Sequence, residues 1–181
     1  LGGVYVHLGY LSIPLTVLWI AGLTNAINFI DGLDGLACGV SAISSLSLMI
    51  VVLLNGDIVS TVIFGILFGS CLGFLPFNSN PARIFMGDTG ALFLGYSLAV
   101  MSVSGVFKLH AVLSFIVPLI VFAIPIFDAF FAIVRRLIAG KSPFSADRGH
   151  LHHRLIDMGF TQKESVKLIY ATCAILGLCA S

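Results

Sequence analysis

Residues 36–75 read LACGVSAISSLSLMIVVLL, NGDI and VSTVIFGILFGSCLGFL: two apolar runs, Leu36–Leu54 and Val59–Leu75, parted by Asn55-Gly56-Asp57. Asn and Gly tolerate left-handed backbone angles, so the polar triplet reads as a tight turn between two elements that reverse direction. Neither run alternates with period two, as a membrane barrel would require. A helix is the other element that satisfies its own backbone in hydrocarbon, and both runs fall within the roughly 17–25 residues a crossing needs.

The pattern extends in both directions. Leu11–Ile30 forms an earlier span, and Ala91–Phe107 a fourth after a polar connection from Pro76 to Gly90. Ala111–Ile138 is a fifth, overlong for one crossing and carrying Pro118 and Pro125, so it is expected to bend, tilt or leave the membrane. A last run, Leu168–Ser181, is short for a bilayer. Composition agrees, with 59% hydrophobic and 9% charged residues against about 25% charged in soluble domains, and a mean hydropathy of +1.11. The expected fold is all-α: a polytopic transmembrane helical bundle with a bent, Pro-containing helix and a cytoplasmic His-rich loop. A formal net charge of +1 argues against nucleic acid as a partner. The chain opens at Leu1 without a signal-peptide pattern, and the expectation is one integral-membrane domain over 1–181, the C-terminal portion of a longer protein cut at both ends. Cys38, Cys71, Cys173 and Cys179 lie in apolar runs without C-x-x-C spacing, which predicts buried inert thiols.

Basic residues orient the bundle. If spans alternate, the connections at 31–35, 76–90 and 139–167 share a face bearing Arg83, Arg135, Arg136, Lys141, Arg148, Arg154, Lys163 and Lys167, whereas the opposite face has Lys108 alone. Lys and Arg mark the cytoplasmic side, so the three motif-bearing loops are expected there, close together.

Each loop carries polar chemistry. Asn25 and Asn28, then Asn28 and Asp31, are spaced to share a helix face at the mouth of the first span, followed by Gly32, Leu33, Asp34 and Gly35. Polar groups in spans are expensive and mark functional paths, although an interhelical amide bond followed by a two-glycine turn is the plain alternative. The second loop holds Asn78, Phe85, Gly87, Asp88 and Gly90; Asp88 is either a ligand or the N-cap of the fourth span, and Phe85 offers a stacking face. The third reads Asp147-Arg148-Gly149-His150-Leu151-His152-His153-Arg154. Its histidines and arginines suit phosphate better than zinc, because H-E-x-x-H spacing and nearby Cys are missing. Leu151, Leu155 and Ile156 suggest a stripe lying at the membrane surface, Gly159 a C-cap, and exposure to solvent is an open alternative for His152. Thr161 and Glu164 read as a capping box starting the last helix. Asp128 either lines a polar interior or forms an ion pair. Oxygen donors beside phosphate donors suit Mg²⁺, which is commonly shared between protein and substrate phosphates, and together suggest phosphoryl-type transfer onto a lipid carrier.

Four ordered motifs resemble the polyprenyl-phosphate N-acetylhexosamine-1-phosphate transferases (glycosyltransferase family 4): the block at 25–36, Phe77-Asn78 with Pro81-Ala82, Phe-Met-Gly-Asp-Thr-Gly at 85–90, and His-x-His-His at 150–153. The His-Leu-His-His-Arg-Leu form, preceded by Asp147-Arg148-Gly149, is more similar to the undecaprenyl-phosphate GlcNAc-1-phosphate branch than to the muramoyl-pentapeptide branch. The resemblance implies transfer of a sugar 1-phosphate from a UDP-sugar to undecaprenyl phosphate with release of UMP. It further implies Mg²⁺ (or Mn²⁺) as cofactor, a multi-pass place in the bacterial inner membrane with the site facing the cytoplasm, and a role in cell-envelope polysaccharide synthesis, such as lipopolysaccharide or teichoic acid. By position it implies Asn28 and Asp88 as metal ligands. Asp31, Asp34, Asp88, His150, His152 and His153 become catalytic residues, and Asn25, Gly32, Leu33, Asn78, Phe85 and Arg148 line the substrate, with Phe85 stacking on uracil. A homodimer is compatible with this. The family's tandem-Asp motif from an earlier loop has no counterpart here, so the isolated chain is expected not to turn over. An ion-coupled secondary transporter is the alternative, and would need an inverted repeat and midplane polar groups; a noncatalytic binder of lipid-linked sugars is a third reading.

Overall fold

The computed structural model describes residues 9–106, 111–142 and 149–180. Among them eight α-helices and no strand form: α1 Ser12–Ile30, α2 Leu36–Leu54, α3 Ile58–Asn78, α4 Gly87–Met101, α5 Ala111–Val121, α6 Ala123–Ile138, α7 Leu151–Asp157 and α8 Gln162–Ala180. A short 3-10 turn precedes α1, and a π-helical stretch, Ser102–Val106, continues α4. The chain is an all-α, multi-pass membrane protein in which α1 with its preceding turn, α2 and α3 are each long and apolar enough to cross a bilayer.

α2 is the hub. It lies against α3, α8, α4 and α1, and its buried side include Leu36, Cys38, Val40, Leu48 and Val52. Small residues let the neighbours approach, because without a hydrophobic drive between helices close van der Waals packing holds the bundle. A Cβ at Gly39 would overlap the Tyr170 ring of α8, and one at Gly177 would overlap Ser47 of α2. α1 and α4 meet in the same way, with Gly95 only 2.8 Å, measured from its would-be Cβ, from the Thr24 backbone. Buried serines in α2 need no distant partner where they bond back one turn: Ser45 Oγ donates to Ser41 O (2.7 Å) and Ser47 Oγ to Ile43 O (2.9 Å).

Several boundaries depart from the sequence reading. α3 does not stop at Pro76 but runs to Asn78, because proline removes a single donor and the next turn still closes, with Ser79 N–H donating to Leu75 O (2.8 Å). α4 starts at Gly87, earlier than Ala91, with Met86 as N-cap; Asp88 sits in the first turn and is not the cap. Phe107, the expected end of that span, lies outside the described residues. The overlong fifth segment does bend, separating into α5 and α6 at Phe122 (φ −99°, ψ 16°). Pro125 explains the place: it has no N–H for the carbonyl four residues back, at Val121, and its ring crowds that carbonyl. Trp19 steadies this region, its Nε1–H donating to Ser102 Oγ (3.0 Å) and its ring meeting Phe122 edge-on at 6.4 Å.

The capping box at Thr161 and Glu164 is present: Thr161 N–H donates to Glu164 Oε2 (2.8 Å) and Glu164 N–H to Thr161 Oγ1 (3.3 Å). Gly159 follows α7 with φ +97°, as a helix-ending glycine does. The surface-lying stripe is corrected, since Leu155 is buried in the core and Leu151 packs on it, leaving Ile156 exposed. Cys38, Cys71 and Cys173 are buried, but Cys179 is exposed on α8.

Candidate active site

The turn 31–35 is built to hold side chains at the bundle rim. Asp31 ends α1, its N–H donating to Asn28 O (3.1 Å), and Gly35 begins α2 at φ +80°, a conformation that favours glycine. The Tyr170 hydroxyl of α8 donates to Gly35 O, tying the turn to a helix far away in sequence. Leu33, partly buried, rests on the core.

Three contacts bring the motifs together. The first joins α1 to α4: Asn28 Nδ2 donates to Asp88 Oδ1 at 3.1 Å across 60 residues of chain. Asp31 lies close enough for the Asp88 charge to be felt; its carboxyl is pushed up to about 6, by burial first and then by that charge. The second joins the 31–35 turn to the loop after α3, where Asp34 Oδ2 accepts from Asn80 Nδ2 (3.0 Å) and from Ala82 N–H (3.1 Å). Asn80 Nδ2 also donates to Gln162 Oε1 at the start of α8 (2.8 Å). The third is steric: Gly32 lies against the His152 imidazole so closely that a Cβ would overlap Nε2.

The 79–86 loop folds on its own helix. Buried Asn78 donates through Nδ2 to Ile84 O (3.0 Å), while Arg83 and Ile84 N–H groups donate to Phe77 O. Phe85 follows with its ring 74% exposed, available for stacking. Beside it opens a largely apolar cavity of about 330 Å³ bordered by Cys38, Cys71, Phe74, Phe85, Met86 and Leu94, suited to a ring or hydrocarbon and not to a diphosphate.

The histidine motif behaves unequally. His150 caps α7 from an extended backbone (ψ 152°) and is 7% exposed. His152 is 2% exposed, which corrects the solvent-exposed alternative; burial lowers its pKa to about 4, helped by His153. It is therefore neutral at physiological pH, and any cationic grip on phosphate falls to other groups. His153, half-buried, has its ring 4.3 Å from that of His152. Asn25 is not brought in: it is exposed and its Nδ2 donates to Ala21 O of its own helix (2.7 Å). Asp147 and Arg148 lie outside the described residues.

Sequence reasoning missed Asn80 as a two-way clasp and left Asp128 open. Asp128 accepts from His150 Nδ1 (2.9 Å) and from Leu151 N–H (2.7 Å). Its signal was visible, a lone acid in an apolar segment, but its partner was not. Phe29 also joins the site, its ring 6.0 Å from that of His150 and beneath the Arg136 guanidinium at 5.9 Å.

The Asn28, Asp31 and Asp88 set supplies hard oxygen donors fit for a divalent cation. Turning the Asn28 amide would present Oδ1 where Nδ2 now meets Asp88, and two carboxylates near enough to repel would both be relieved by a cation. Among the described residues no three His, Cys, Asp or Glu side chains converge closely enough to hold a metal ion by themselves.

A family model described as Glycosyl transferase family 4 matches residues 1–106. The chain belongs to this family. It is 47% identical over 175 residues, 96% of its length, to a Bacillus subtilis (strain 168) protein named "Probable undecaprenyl-phosphate N-acetylglucosaminyl 1-phosphate transferase". It is 42% identical over 94% of its length to the decaprenyl-phosphate N-acetylglucosaminephosphotransferase of Mycobacterium leprae (strain TN). Identity to the phospho-N-acetylmuramoyl-pentapeptide-transferase of Staphylococcus aureus (strain JH9) is 35% over 97%. These alignments take in 49%, 48% and 53% of the three relatives, so the chain spans about half the length of the curated relatives it matches.

Proposed function

We propose that the protein transfers a sugar 1-phosphate, N-acetylglucosamine 1-phosphate, from a UDP-sugar to undecaprenyl phosphate and releases UMP, at the cytoplasmic face of a bacterial inner membrane. The observation that carries this is the Asn28–Asp88 contact: two motifs 60 residues apart meet at one rim, beside a second carboxyl, Asp31, whose pKa burial raises and the Asp88 charge raises further. A secondary transporter would want such groups near the midplane, and the relatives quoted are all named as transferases. The eight-to-one split of basic residues between the two faces, counting Arg135 and Arg136 in the last turn of α6, supports the cytoplasmic orientation.

Asn28 and Asp88 would hold Mg²⁺, with Asp31 next to it. The ion, when bound, supplies charge neutralisation of a diphosphate and polarisation of a phosphoryl oxygen. The chain's own residues do the positioning. Asp34 stations the 79–86 loop through Asn80 and Ala82, and the exposed Phe85 at the end of that loop is assigned to stack on the pyrimidine. His150 and His153 are assigned to phosphate oxygens by their place in the motif, and His152, neutral and buried, packs against both rings. Arg148 is assigned to the sugar or diphosphate by its place in the motif alone.

The test is Mg²⁺-dependent UMP release from UDP-GlcNAc and undecaprenyl phosphate by the full-length protein. Asp88→Asn should lower turnover by roughly 100-fold or more, on the scale of losing a group that stabilises transition-state charge, with an unchanged melting midpoint. Near-normal turnover in that variant, or transfer indifferent to chelation, would overturn the reading.

A further inference from the structure

Asp128 is the one residue of α6 that is both acidic and buried, 8% exposed, and its two oxygens divide between two donors of the histidine motif. Oδ1 takes the Leu151 N–H at 2.7 Å and Oδ2 takes His150 Nδ1 at 2.9 Å. A carboxylate only accepts, so the second bond puts the hydrogen on Nδ1 and leaves Nε2 as the ring atom for any further partner. The first bond does what the His150 side chain does not, since His150 at the N-cap position makes no side-chain capping bond and the leading N–H groups of a helix lack intrahelical acceptors.

α7 has seven residues, far too few to hold helical form unaided, and its place is therefore decided by tethers. Leu155 supplies an apolar one and Asp128 a polar one. From Asp128 the contacts run onward. The His150 ring lies parallel to that of His152, centroids 5.7 Å apart at 5°, and His152 fills the space beside Gly32. The void bordered by Asp128, Ile30, Leu36, Leu151 and His152 measures about 10 Å³, room for one water at most, so solvent cannot replace both bonds of Asp128.

We propose that Asp128 is a positioning residue for this site: it locks the histidine motif onto α6 and so seats the stacked His150 and His152 rings against the turn that bears Asp31 and Asp34. Its catalytic consequence rests on the transferase reading above; the anchoring does not.

Two measurements on the full-length protein decide it. In hydrogen exchange, Asp128→Asn, which preserves shape but has a single acceptor oxygen to offer two donors, should speed exchange over residues 149–157 by roughly tenfold or more, as loss of a bond to a charged acceptor implies, while α2 and α3 are unchanged. In UMP-release kinetics the same variant should lose kcat by roughly tenfold with the KM for UDP-GlcNAc within about twofold. Adding it to His150→Gln should cost no more than about a further twofold, because the two residues act as one unit. Unchanged exchange over 149–157 overturns the anchoring. Normal turnover in Asp128→Asn, or losses that multiply in the double variant, overturns the positioning role. If the unmodified protein releases no UMP, the transferase reading fails while exchange still judges the anchor.

Discussion

Gly32 is where the two halves of the site touch, and Gly32→Ala measures how much the docking is worth. The added Cβ would overlap His152 Nε2 and stand 2.9 Å from Cε1 and 3.3 Å from Cδ2. Carbons in contact sit about 3.5–4.0 Å apart, so Cε1 must retreat by at least about 0.6 Å and Nε2 further. The ring has little room to go, at 2% exposure with His150 parallel on one side and His153 at 4.3 Å. The α7 segment must therefore lift, or the turn must bend. Overpacking of this kind costs about 1–3 kcal/mol, which corresponds to a fall of roughly 2–12 °C in melting midpoint for a chain of this size. Thermal unfolding in detergent, followed with a thiol-reactive dye that reports the buried Cys38, Cys71 and Cys173, reads it directly. Gly73→Ala in α3 is the control, because nothing lies within 4 Å of its would-be Cβ; there alanine should be neutral or gain up to about 1 kcal/mol of helix propensity. The decisive arm is His152→Ala. With the ring gone, Gly32→Ala should be harmless, a coupling of about 1 kcal/mol or more. An equal loss in both backgrounds would refute the contact.

Gly39→Ala should be the more severe substitution, since its Cβ would overlap both Cζ and the hydroxyl of Tyr170 and displace the Tyr170 bond to Gly35 O; a melting midpoint lower than that of Gly32→Ala, rescued by Tyr170→Ala, is the expected outcome. Acidification should weaken the protein through His152. Its folded pKa of about 4 lies below the ordinary histidine value of 6.5, so the unfolded chain binds the extra proton between those values and stability falls as pH drops through that window. Asp31 works in the opposite direction, its raised pKa favouring the folded state on acidification, so the test compares the pH 7 to pH 5 shift in melting midpoint with that of His152→Gln. The variant should shift less steeply to low pH, and identical slopes would show that His152 does not carry the effect.

The first half of the fold was readable because its signals are local. Asn55-Gly56-Asp57 terminates α2 where the turn chemistry says it must, Gly35 opens α2 at positive φ, and the apolar runs have the length a bilayer demands. Boundaries governed by more than propensity were harder. Pro76 reads as a stop, yet a proline within the last turn forfeits one bond only, and α3 goes on. The break in the fifth segment was foreseeable from two prolines, whereas its location at Phe122 follows from Pro125 acting on a carbonyl four residues upstream.

The site divides along the same line. Asn28, Asp31 and Asp88 could be picked out because polar side chains at span ends are conspicuous against hydrocarbon, and the spacing on one helix face follows from the helical period. What spacing cannot convey is which polar groups answer one another across the bundle. Asn25 shares a face with Asn28 but spends its amide on Ala21 O, a bond available to any exposed Asn one turn up. Asn80, an unremarkable loop residue before Pro81, instead clasps Asp34 and Gln162. The three histidines look equivalent in sequence and are not. The 1-3-4 pattern on a two-turn helix sends His152 inward, and once inside it is desolvated and neutral. His150 at the cap meets a carboxylate from another helix. The chemistry open to each imidazole is thus set by α6 and by Gly32, so substituting the residues that seat the rings should divide the motif into its separate functions more cleanly than removing the rings themselves.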